Sequence, residues 1–127
     1  MKYLIDTQIL IWSFGLSDKI PKNIRKILKD ENNEIFVSTV SIWEMAIKKS
    51  IGKLTLPFEL KHIVKVINNL NIRILDISSE HLIKVADLPF HHKDPFDRLI
   101  ISQAIIEKLS IISSDRNFDF YEIKNIW

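Results

Sequence analysis

A chain of 127 residues, 46% apolar and 27% charged, has room and material for one hydrophobic core with a charged surface, which excludes disorder and a second full core. Eighteen basic against sixteen acidic side chains leave a formal charge of +2, too small an excess to define a polyanion-binding protein by itself. With no cysteine there are no disulfides, thiolate zinc sites or Cys nucleophile, and the two glycines, Gly15 and Gly52, are too few for a dinucleotide fingerprint or a P-loop.

Along the chain, the first apolar run is Tyr3-Leu4-Ile5. Asp6 interrupts it and no small-residue cleavage site follows, so it reads as a strand and not as a leader. Helical spacing then covers residues 8–14 and 21–29, and a short β-branched run at 35–37 gives the second strand. Helices over 40–51 and 58–70 flank a loop at 53–57. A third strand at 72–75 and a helix at 80–86 follow. Asp94-Pro95, an N-cap followed by a first-turn proline, opens a helix over 95–109. Ile111-Ile112 form a fourth strand, and a last one near 122–126 closes the sheet edge. This alternation predicts one α/β domain over residues 1–127, with a mainly parallel sheet covered by helices on both faces. No stretch approaches the roughly 18 apolar residues of a membrane helix, so a soluble, cytoplasmic protein without membrane association is expected.

In open parallel sheets, ligands bind beyond the carboxyl ends of the strands, where the strand order reverses. Asp6 directly follows the first strand, and Asp115 follows Ile111-Ile112-Ser113-Ser114. Either also suits a turn or helix cap. Glu44 has Val40, Ile47 and Ile51 at i−4, i+3 and i+7, which places it in a buried stripe, where an unpaired carboxylate costs several kcal/mol. The competing role is an i,i+4 pair with Lys48, worth roughly 0.3 to 0.5 kcal/mol on an exposed helix. Asp97 precedes Ile100, Ile101 and Ala104 on another core-facing row, and it also suits the positive first turn of a helix capped by Asp94. Four gathered carboxylates raise one another's pKa values unless a cation neutralises them. Oxygen-only donors without Cys point to Mg2+ or Mn2+ over zinc. His91 and His92 are adjacent, without the i,i+4 spacing of a zinc pair, and His62 and His81 are isolated.

The segments around these acids carry a resemblance. Tyr3-Leu4-Ile5-Asp6-Thr7 resembles the first strand and first metal-binding Asp of PIN-domain proteins, and Ser41-Ile42-Trp43-Glu44-Met45-Ala46-Ile47-Lys48 resembles their conserved-Glu helix. His92-Lys93-Asp94-Pro95-Phe96-Asp97-Arg98-Leu99-Ile100-Ile101-Ser102-Gln103-Ala104 is similar to the DPFDR signature of a VapC-like toxin branch. Ser113-Ser114-Asp115 with Phe118 and Tyr121 resembles the last acidic motif. The matches run nearly the length of the chain. Two departures are Gln8, where many relatives have His, and Ser113, where Thr is usual. The resemblance implies a three-layer α/β/α sandwich and metal binding by Asp6, Glu44, Asp97 and Asp115. It further implies ribonuclease activity, homodimerisation and inhibition by a cognate antitoxin. It does not choose among transfer, ribosomal and messenger RNA.

The reaction expected of such a site is metal-assisted phosphodiester hydrolysis by water, with no side-chain nucleophile. Asp94 is either a cap or an assistant to the metal site. Lys48, Lys49, His92, Lys93, Arg98 and Arg116 either meet RNA phosphates or form a solvated basic surface. Trp12, Trp43 and Trp127 either line a partner groove or fill core and interface. A phosphoacceptor receiver domain needs adjacent acids after its first strand, but Thr7 follows Asp6. A haloacid-dehalogenase-type phosphatase needs Asp-x-Asp there, but position 8 is Gln. A non-catalytic PIN-like nucleic-acid or protein-binding module remains the alternative, although all four acids are present.

Overall fold

The computed structural model describes residues 1–127 and places five parallel strands in one sheet. They are β1 (Lys2–Ile5), β2 (Glu34–Ser38), β3 (Ile72–Leu75), β4 (Ser110–Ile112) and β5 (Asn125–Ile126). Their order is β3-β2-β1-β4-β5, so the chain steps outward from β1 in one direction, then returns to build the other side. The register aligns Ile5 with both Val37 and Ile112, and β1 is central with a strand on either side. The order reverses between β1 and β4.

Six α-helices cover the sheet: α1 (Thr7–Trp12), α2 (Lys22–Lys29), α3 (Thr39–Ser50), α4 (Ile63–Asn69), α5 (Ser79–Val85) and α6 (Pro95–Glu107). Because side chains alternate across a strand, Tyr3 and Ile5 enter one core while Leu4 enters the other. The first core gathers Ile9 and Leu10 of α1, Ile24 of α2 and Ile67 of α4. The second gathers Val40 at the start of α3 with Ile100, Ile101 and Ala104 of α6. A sheet buried on both faces explains the unbroken apolar runs of β1 and β4. The result is the expected three-layer α/β/α arrangement.

Helix α6 is the most completely buried of the six. Asp94 caps it, accepting hydrogen bonds from the backbone N–H groups of Phe96 and Asp97 at 2.9 and 3.1 Å, and Pro95 occupies the first turn. Every residue from Arg98 to Ala104 is buried, because the helix lies between the sheet and α5. It stops at Lys108, whose φ of 57° is left-handed, and the Leu109 N–H turns back to the Ala104 carbonyl at 2.9 Å.

Three expected elements are shorter than the periodicity predicted. The first helix ends at Trp12, and the chain soon turns through Gly15 at φ 106°. The helix expected over 58–70 is a 3-10 turn, Leu60–His62, followed by α4. The last strand narrows to Asn125–Ile126, because a 3-10 turn at Arg116–Phe120 and its exit occupy the preceding chain. No helix is long and apolar enough to cross a membrane.

Candidate active site

The crevice at the β1/β4 reversal opens just beyond Ile5 and Ile112, where Asp6 and Ser113 are the next residues. Asp6 is 7% exposed and caps α1, one oxygen accepting from the Ile9 N–H at 2.9 Å. Its other oxygen accepts a short hydrogen bond from the Ser113 hydroxyl. Ser113 Oγ in turn accepts from the Asp115 N–H at 3.0 Å. Asp115 caps the Arg116–Phe120 turn through Asn117 N–H. The capping role and the crevice address therefore coexist in both aspartates.

Glu44 reaches the same crevice from α3. Its Oε1 accepts from the Thr7 hydroxyl at 2.8 Å, and its Oε2 lies 2.8 Å from Lys48 Nζ. Thr7 and Ser41 hydroxyls are 2.9 Å apart; since Thr7 has one proton and a carboxylate only accepts, Ser41 donates to Thr7 and Thr7 to Glu44. The structure corrects the predicted buried stripe. Ile47 and Ile51 are 37% and 58% exposed, and the core-facing row of α3 is Val40, Ser41 and Met45. Glu44 is sheltered by the crevice and not by an apolar row, and the Lys48 pair does form.

Asp97 follows the row drawn from the sequence: Ile100, Ile101 and Ala104 are fully buried beneath it. Its Oδ2 lies 3.4 Å from His92 Nε2. Asp6, Glu44, Asp97 and Asp115 line one cleft of about 270 Å³, together with a fifth acid, Asp94, and with Lys48 as the single cation. A larger cleft of about 770 Å³ lies at the amino ends of β2 and β3. Its charges are mixed, and Glu34 there pairs with Arg73 at 3.1 Å.

The acids act on one another electrostatically. Burial pushes Asp6 up to about 6, with Asp115 and Glu44 adding to the rise, against the lowering effect of the Ser113 and Ile9 hydrogen bonds. Burial pushes Asp97 up to about 8, and Asp94, Asp115, Glu44 and Asp6 all add to it. No three His, Asp or Glu side chains close into a ready-made coordination shell. What fits a hard divalent cation is the donor chemistry: clustered carboxylate oxygens, largely unbalanced charge and no sulfur.

Residues 3–124 match the family model of the PIN domain. The chain belongs to the PIN-domain family. Its fold is similar to a chain of VapBC2 from Rickettsia felis bound to a DNA fragment from their promoter, with a TM-score of 0.74 at 19% identity, covering 99% of this chain and 98% of that one. It is similar to a chain of VapBC-1 from nontypeable Haemophilus influenzae, with a TM-score of 0.70 at 17% identity over 99% and 97% of the two chains. FitAcB from Neisseria gonorrhoeae contains a third such chain, with a TM-score of 0.64 at 14% identity over 98% and 96%. No curated protein matches this sequence. At these identities the structural likeness concerns the fold.

Within this PIN domain the structure also places two other sets of residues named from the sequence. Arg98 is 6% exposed and its guanidinium donates to the carbonyls of Pro89, Val85 and Leu88, so it is a buried brace and not a surface cation for phosphate. Trp12 packs near Trp127 at 5.9 Å between ring centroids, whereas Trp43, packed edge-on to Phe96, is 53% exposed. Thr7 and Ser41 go unread as orienting groups in the sequence, and Ser113 stands out there only as a Ser where Thr is usual. A hydroxyl directly after Asp6, and another three residues before Glu44, were the available signals.

Proposed function

We propose that this PIN domain is a divalent-metal-dependent endoribonuclease, the toxin of a toxin-antitoxin pair, acting in the cytoplasm as a homodimer. The observation that carries the nuclease reading is the convergence of four carboxylates at the β1/β4 reversal, faced by one cation, Lys48. Asp6, Glu44, Asp97 and Asp115 would hold Mg2+, with Mn2+ as the alternative ion. The chemistry supplied by such an ion, when bound, is polarisation of the phosphodiester and acidification of water for in-line attack.

The protein's own groups prepare that chemistry. Ser113 and the Ile9 N–H hold both oxygens of Asp6, and Thr7 and Lys48 hold those of Glu44, so neither side chain is free to swing away. The Thr7 proton is engaged by Glu44 and no His lines the cleft to activate a side-chain hydroxyl, which supports water over a protein side chain as the nucleophile. In the hydrolysis a water oxygen joins phosphorus, the bond to the departing sugar oxygen breaks, and that oxygen takes up a proton.

The toxin role, RNA as substrate and the antitoxin partner rest on the sequence resemblance, with support from a fold shared with chains of VapBC and FitAB complexes. The test is incubation of the purified protein, freed of any bound chain, with total RNA and Mg2+, repeated with chelator and with Asp97→Asn. Loss of cleavage in both controls is expected. Cleavage indifferent to both would remove the proposed site, and inactivity of the folded protein on every RNA class would favour a non-catalytic binding module. Co-purification of a small second chain at native expression is the corresponding test of the antitoxin.

A further inference from the structure

A buried polar chain leads from α6 to the back of Asp97. Besides the three carbonyls it braces, Arg98 donates to the Tyr121 phenol oxygen at 3.2 Å, and its guanidinium carbon lies 4.6 Å from the centroid of the Phe90 ring. Arginine has only donors, so the direction of that bond is fixed and the phenol oxygen accepts. Tyr121 is 5% exposed, and its other hydrogen-bond partner at the hydroxyl is His92 Nδ1 at 2.8 Å. A phenolic proton without an acceptor in this buried place is costly, so Tyr121 donates to Nδ1 and Nδ1 is bare. The neutral imidazole then carries its proton on Nε2, the nitrogen that faces Asp97 Oδ2 at 3.4 Å. The donors run in one direction: Arg98, Tyr121, His92, Asp97.

We infer that His92 is a positioning residue for Asp97, its tautomer set by Arg98 through Tyr121, so that Nε2–H holds Oδ2 and leaves Oδ1 as the oxygen offered to a cation. This rests on the reading of Asp97 as a metal ligand. Both nitrogens of His92 are engaged, so it orients a ligand and is not one itself. The chain of contacts also ties Tyr121, which follows the Asp115 turn, to the start of α6, so the segments bearing Asp97 and Asp115 are set relative to each other. Partners of this kind around metal ligands characteristically change metal affinity by about 10- to 100-fold when removed.

The tautomer is read directly on the uniformly 15N-labelled wild-type protein, by long-range proton-nitrogen correlation spectra of His92. A bare Nδ1 and protonated Nε2 are expected, and the opposite tautomer overturns the inference. Mn2+ binding followed by electron paramagnetic resonance supplies a second readout without substrate. His92→Ala is expected to weaken Mn2+ binding about 10- to 100-fold, and His92→Gln to recover part of it, because its amide N–H₂ reaches near the position of Nε2. Tyr121→Phe should weaken binding and leave His92 in a mixture of tautomers. If His92→Ala binds Mn2+ like the wild type while Asp97→Asn does not, positioning by His92 is overturned and the ligand reading stands. If Asp97→Asn also binds like the wild type, the ligand reading fails and takes the positioning role with it. Should His92→Ala not fold by circular dichroism, the wild-type spectrum and Tyr121→Phe decide.

Discussion

Asp6 is a buried acid and Asp97 a half-buried one, both have acids for neighbours, and this has a defined effect on stability. Both have folded-state values above the ordinary 3.8, at about 8 and about 6. Below the unfolded-state value they are protonated in both states. As pH rises past it, the unfolded chain releases protons that the folded chain retains, so stability falls. For Asp6 the fall runs from about pH 4 to 6, and for Asp97 from about pH 4 to 8. Thermal melts of the metal-free protein across this range should therefore decline toward alkaline pH. Asp97→Asn should flatten the decline and abolish cleavage. A melt that rises toward pH 8 would contradict the raised values of both acids. Added Mg2+ should reverse the decline, by about 2.7 kcal/mol when its concentration is a hundred times its dissociation constant. The Ser113 bond acts in the other direction, favouring ionised Asp6. Ser113→Ala should lose roughly 1 to 2 kcal/mol by denaturant titration, and Ser113→Thr, which keeps the hydroxyl, should lose less.

At the level of elements, the amino end of α6 is where cap, proposed ligand and brace meet. Asp94→Ala removes the acceptor for two backbone N–H groups and should cost about 1 kcal/mol. Because one of those groups belongs to Asp97, nuclease activity should fall further than the stability change explains. Arg98→Lys offers a test of the buried brace. A lysine cannot reproduce the fork toward Pro89, Val85, Leu88 and Tyr121, and a loss of roughly 2 to 3 kcal/mol is expected. Arg116→Lys on the surface, where Arg116 pairs with Asp119 at 3.2 Å, should stay within about 0.5 kcal/mol of wild type. Equal effects in the two variants would mean that the guanidinium fork contributes little.

Across the whole molecule twelve large apolar side chains are exposed, Phe90 and Phe120 among the most exposed, and five of the twelve gather along two helices. Trp43, Ile47 and Ile51 lie on α3 and the residue after it, and Leu82 and Ile83 lie on α5. Trp43, Ile47 and Ile51 stand at i, i+4 and i+8 and so share one exposed face. They suit the proposed homodimer and antitoxin contact. Sedimentation of the isolated protein should therefore give about twice the 14.9 kDa chain mass, and a monomer at every concentration would remove the dimer from the proposal.

The sequence alone determined the α/β class, the four longer strands, the cap of α6 and the apolar row beneath Asp97. These are local signals, short unbroken apolar runs, 3.6-residue spacing and a cap dipeptide, set by backbone geometry within a few residues. Only the tertiary structure decided that β1 is central and that the order reverses beside it, which brings Asp6 and Asp115 to one crevice. It also decided the clamps. Thr7 meets Ser41 and Glu44 across 34 and 37 positions, and Ser113 meets Asp6 across 107. Contacts of that span leave no periodic trace in the chain. The same reason accounts for the three misread side chains: the exposure of Ile47 and Ile51 and the burial of Arg98 depend on which neighbouring segments cover them, and not on helical spacing.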